Sequence, residues 1–117
     1  MIIRTIIESP FGTLPSGARA PPAEMEQNVL YARRCLADSL ARGEAPFASH
    51  LLYPQALHDA DPAQRRQGLE AGFCWGGLAD LVAVYCDRGI TEGMREGIRR
   101  AKDCAQVVEM RTIGDPA

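Results

Sequence analysis

Apolar positions along this chain switch between short β-branched runs and longer stretches with helical spacing. The first run, residues 1–7, is rich in isoleucine and ends at Ser9-Pro10-Phe11-Gly12, which predicts a buried strand entering a turn. Residues 13–22 read TLPSGARAPP, a loop with the composition of a mobile one. Met25, Val29, Ala32, Leu36 and Leu40 then recur at helical intervals, predicting a helix from about 23 to 42 with Gly43 as its stop. Ala45 to Ser49 reads as a short strand, with one helical turn expected after it. Asp61-Pro62-Ala63-Gln64 combines an N-cap, a proline at the first helical position and a glutamine three residues past the cap, so a helix runs from there to Trp75. Leu81 to Tyr85 is continuously apolar, as a strand covered on both faces must be. Thr91 opens a last helix carrying Met94, Ile98 and Ala101 inward, and residues 106–113 form an edge-like strand before the tail 114–117. Strands alternating with helices predict one domain with a mainly parallel sheet between two helical layers.

Composition narrows the function classes. The chain has 117 residues, 46% hydrophobic and 24% charged, with 13 basic against 15 acidic side chains and a net charge of −2. That balance argues against a nucleic-acid binder. No apolar stretch nears the ~20 residues needed to span a bilayer, and the first residues lack the pattern of a signal peptide. The expectation is a soluble cytoplasmic protein without a membrane partner. Cys35, Cys74, Cys86 and Cys104 contain no close pair and there are only two histidines, so no metal site is expected and the cysteines read as buried reduced thiols. No cofactor is implied.

In a parallel α/β sheet, ligands bind beyond the carboxyl ends of the strands near the switch in strand order. That rule selects three loops. Thr91, Gly93 and Met94 open the last helix, where free N–H groups and the helix dipole favour an anion and Gly93 lets it approach the backbone. Ser9, Pro10 and Phe11 supply a hydroxyl and a ring for stacking. Ser49, His50 and Tyr53 add a titratable imidazole and a second aromatic surface; Trp75 reads as core. The carboxylates near these strand ends are Glu8, Asp87, Glu92 and Glu96.

Four segments carry a resemblance: Ile6 to Phe11, Asn28 to Arg33, Gly43 to Tyr53 and Gly89 to Met94. They resemble a small family of bacterial and phage proteins related to the nucleoside 2-deoxyribosyltransferases and nucleotide N-glycosidases. The resemblance implies a flavodoxin-like (Rossmann-like) three-layer sandwich with a four-stranded sheet. It also implies a homo-oligomer with pockets near the subunit interface, where Tyr53 or Arg34 serves a neighbour. Such enzymes cleave the N-glycosidic bond with a glutamate on the last helix, four residues after the glycine of a Ser-x-Gly opening, and with an aspartate that assists the base. Thr91-Glu92-Gly93 is similar to that opening and is expected to hold a 5′ hydroxyl or phosphate.

Two departures stand out. Position 97 is glycine, and Glu96 lies one residue early, about 100° around the helix. In the stretch where the aspartate belongs only Glu70 is acidic, and Asp80 comes later. Three functions follow. The first is a binder of a nucleotide or nucleoside that sequesters or senses it, such as a phage sponge for an immune signal. The second is an N-glycosidase or deoxyribosyltransferase with Glu96, or less favourably Glu92, as nucleophile and Asp87 or His50 assisting. The third is a structural oligomer with a vestigial pocket. The damaged catalytic pattern favours the binder.

Overall fold

The structure is a computed structural model and describes residues 1–114. In chain order its elements are β1 (Arg4–Glu8), α1 (Pro22–Ala41), β2 (Ala45–Phe47), α2 (Ser49–Leu52), a 3-10 turn (Tyr53–Gln55), α3 (Pro62–Gly76), β3 (Leu81–Tyr85), α4 (Glu92–Asp103) and β4 (Val107–Arg111). The strands form one sheet in the order β2-β1-β3-β4, and every pairing is parallel. The chain starts in the middle of the sheet, moves out to β2, then returns past β1 to β3, so the order switches between β1 and β3. Right-handed crossovers put α1 on one face and α3 and α4 on the other. This is the expected three-layer α/β domain.

Strand alternation sorts the residues between the two faces. Ile7, Ala83 and Tyr85 pack with Tyr31 and Cys35 of α1. Val82 and Val84 pack with Met94 and Ala101 of α4. By the same alternation, Ile6 and Glu8 point to the α4 side of the sheet. The expected caps form as well. Asp61 accepts the N–H groups of Ala63 and Gln64 at 2.9 and 3.4 Å, Thr91 Oγ1 accepts that of Met94 at 3.3 Å, and Gly43 follows α1 with φ +83°.

Several expectations are corrected. Strand β1 begins at Arg4 and leaves Met1, Ile2 and Ile3 exposed, because β2 and β3 pair with it only from that residue onward. The buried face of α1 is Asn28, Tyr31, Ala32, Cys35 and Ser39, while Leu40 is 61% exposed. Apolar spacing misplaced that stripe because three of the inward residues are polar and satisfied by hydrogen bonds. Trp75 lies on the outside of α3, since the helix turns Gly68, Gly72 and Gly76 inward. Of the thiols, Cys35 is buried, Cys86 half-buried, and Cys74 and Cys104 exposed. The loop expected over 13–22 is present up to the start of α1 at Pro22; in it Thr13 bridges Arg19, Ala20 is buried, and Arg19 reaches Asp59 at 2.5 Å. The tail beyond Gly114 lies outside the described residues.

Candidate functional site

On the α3/α4 side of the sheet lies a cavity of about 250 Å³. It begins at the carboxyl ends of β1 and β3 and runs inward between Ile6 and Val82 of the sheet and the two helices. Glycine opens it. Gly68, Gly72 and Gly76 of α3 lie one helical turn apart on its wall, and Gly93 and Gly97 do the same on α4. Larger side chains at these positions would fill the space between the layers. Gln106 closes the inner end, donating to the carbonyls of Gly76 and Ala79 at 2.8 and 2.9 Å.

Eight residues expected from sequence meet on this wall: Ser9, Phe11, Ser49, His50, Tyr53, Thr91, Gly93 and Met94. Ser9 Oγ and His50 Nε2 share a hydrogen bond of 2.6 Å. Burial pushes the imidazole down to about 4, so at neutral pH it is uncharged. Phe11 is held by its backbone, because Asn28 of α1 donates to its carbonyl at 2.8 Å and Arg88 in turn donates to Asn28 at 3.0 Å. Tyr53 lines this chain's own cavity, whereas Arg34 sits exposed on α1.

Other expected residues stand elsewhere. Pro10 is buried beside the cavity without lining it. Glu96 points away from it, into a surface cluster where Arg66 donates at 3.0 and 2.8 Å and Arg100 at 3.5 Å, with Glu70 also bound by Arg66 and Arg100. Those arginines hold the Glu96 carboxyl below its usual range. Its position one residue before Gly97 turns it out of the site. Glu92 is exposed beside Arg95 and Arg99.

Asp87 does not line the cavity either. It accepts the Tyr31 hydroxyl at 2.6 Å and the N–H groups of Ile113 and Gly114 at 3.0 and 2.9 Å, which ties the end of β4 to the sheet. Phe73 carries Arg100 over its ring at 4.2 Å. Among the described residues no cluster of His, Cys, Asp or Glu is arranged to hold a metal ion, and no helix is long and apolar enough to cross a membrane.

Two wall residues stand outside the expected binding set: Arg65, which the sequence did not single out, and Glu8, which it placed only among the carboxylates near the strand ends. Arg65 of α3 comes within 3.8 Å of where a Cβ on Gly93 would lie, and its charge is shared with Asp59 at 4.0 Å. A cation therefore stands beside the N-terminus of α4. Glu8 occupies the inner wall against Gly97, where any Cβ would overlap its carboxyl. The signal for Glu8 was in the strand alternation, which gives it the face of Ile6. Nothing local marked Arg65, since only the packing of α3 on α4 brings it to Gly93.

Residues 4–111 match a family described as a domain of unknown function, DUF7768. The chain belongs to that family. No curated protein and no solved structure matches it.

Proposed function

We propose that this member of the DUF7768 family binds a nucleoside or nucleotide in the glycine-walled cavity, holding the 5′ end at the start of α4 and the base toward the interior, without cleaving it. The observation that carries the reading is the pairing of Arg65 with the glycine-opened N-terminus of α4 at the cavity mouth. Backbone N–H groups, the helix dipole and a guanidinium together favour a phosphate. Phe11 and Tyr53 offer rings for stacking, and Ser9 with His50 offers hydrogen bonds to a sugar. The volume lies near the lower end of small-molecule sites, about 300–1,000 Å³, and suits one nucleoside rather than a dinucleotide.

The alternative, N-glycosidic cleavage, requires an ionised carboxylate at the sugar. Glu96 lies in the arginine cluster outside the cavity, Asp59 is taken up by Arg19 and Arg65, and burial keeps the Glu8 carboxyl protonated at neutral pH, so binding without turnover is favoured. The resemblance further suggests a homo-oligomer, which sedimentation would test.

The decisive experiment incubates the protein with nucleosides, their 5′-monophosphates, cyclic nucleotides and ADP-ribose, then identifies bound and heat-released species by chromatography with mass detection. Intact ligand supports the reading. Free base and sugar product would establish the glycosidase instead, and no binding would overturn both. Arg65→Gln is expected to weaken a monophosphate about tenfold, the worth of one charge-assisted contact, and to spare the matching nucleoside. Gly93→Glu is expected to abolish binding of both.

A further inference from the structure

The phosphate end leaves one cavity group without a task. Glu8 closes β1 opposite Val84 of β3, at the centre of the sheet's carboxyl edge, with its side chain on the cavity face. Its Cδ lies 2.7 Å from where a Cβ on Gly97 would be, so every residue other than glycine at 97 would expel the carboxyl. Among the described residues no hydrogen bond or ion pair engages it.

The other titratable groups on the wall have partners or stand at its ends. His50 of α2 is bonded to Ser9, and Asp59 is paired with Arg19 and Arg65. Arg100 of α4 is paired with Glu70 and Glu96, while Tyr53 lies at the mouth and Asp103 and Cys104 at the inner end. From β3, Val82 is the wall residue and carries no charge. A carboxyl that faces a cavity with no protein partner is costly unless water or a ligand completes it, and among the described residues it is the group on this wall left free to bond a ligand.

We infer that Glu8 is the specificity residue of this cavity, filling the space a side chain at 97 would take and donating a hydrogen bond to a ring acceptor of the bound base while accepting one from the adjacent amino group. The inference rests on the nucleoside reading above. Burial with no cation alongside pushes the group up to about 8, so it keeps its proton at neutral pH. A neutral carboxyl presents one donor and one acceptor side by side, which matches the acceptor-plus-amino edge of adenine or cytosine; an ionised one only accepts. Affinity is therefore tied to the proton on Glu8.

The test is calorimetric titration of adenosine and cytidine, which do not themselves titrate in the range, from pH 6 to 10. For the native chain the affinity is expected to be flat to about pH 7 and to fall toward tenfold per pH unit above 8. Glu8→Gln, whose amide keeps a donor beside an acceptor, is expected to bind with a flat profile throughout. Binding that is flat in the native chain, or that falls equally in both proteins, overturns the role of Glu8 and leaves the nucleoside reading standing. If no nucleoside or nucleotide binds at any pH, the nucleoside reading falls and this inference with it.

Discussion

The two faces of the sheet are built from similar polar side chains and treat them in opposite ways. On the α1 face Arg111 of β4 is almost fully buried, yet it donates twice to Glu44 at 2.9 and 2.7 Å and once to the Tyr85 hydroxyl at 3.0 Å. Ser39 donates to the same glutamate at 2.7 Å, and Tyr85 donates to Asp38 at 2.8 Å. Arg111 holds the Glu44 carboxyl down at about 2. Tyr31 and Asp87 form a second closed pair beside it. On the α3/α4 face, glycines hold the layers apart and Glu8 stands enclosed without a partner. Satisfied buried polar groups rigidify a core, whereas an unsatisfied one facing a cavity marks a place where something else binds. The α1 face is the scaffold and the opposite face is the site.

The largest effect should come from breaking the scaffold. Arg111→Ala strands Glu44 in a buried position, and loss of one partner of a buried ion pair costs about 3–5 kcal/mol. Chemical denaturation at pH 7 would show it, and a cost below about 1 kcal/mol would mean the two faces are not so different. In the native chain this network has an acid signature of its own. Because the folded carboxyl of Glu44 is depressed, its contribution is present above the ordinary carboxylate range and lost as pH falls toward about 2.

On the site face the sign is reversed. The folded Glu8 carboxyl is raised to about 8, so folding is favoured while the group is protonated in both states; that advantage declines as pH rises from about 4.5 and is gone above 8. Glu8→Gln should therefore be more stable than the native chain by a few kcal/mol at pH 8 and above, and no more stable near pH 4. His50, held down at about 4, acts the other way, losing stability as pH falls from about 6.5 to 4. The two offset each other between about 4.5 and 6.5, which makes 6.5 to 8 the interval in which denaturation of both proteins reads Glu8 most cleanly. Equal stability across it would mean that Glu8 has a partner after all.

The smallest effect tests the boundary of the site. Glu96→Gln removes a carboxylate that lies in the surface cluster with Arg66 and Arg100, so affinity for any ligand of the cavity should stay within about twofold, since changes confined to the surface are usually small. A tenfold loss would return Glu96 to the site and revive the glycosidase reading.

By itself the sequence determined the element order, the parallel three-layer arrangement and the loops that gather Ser9, Phe11, His50, Tyr53 and Gly93. Those follow from apolar periodicity, capping residues and the handedness of crossovers, which are local or generic constraints. Local periodicity already set Glu8 on the face of Ile6 and turned Glu96 about 100° from position 97. Tertiary structure decided that a cavity lies on the Ile6 face, with Glu8 against Gly97, and that Arg66 and Arg100 receive Glu96. Tertiary structure also decided that α1 buries Asn28, Tyr31 and Ser39 rather than Leu40, and that α3 turns Trp75 outward. Tyr31 and Asn28 are buried because partners distant in sequence satisfy them: 56 residues separate Tyr31 from Asp87, and 60 separate Asn28 from Arg88.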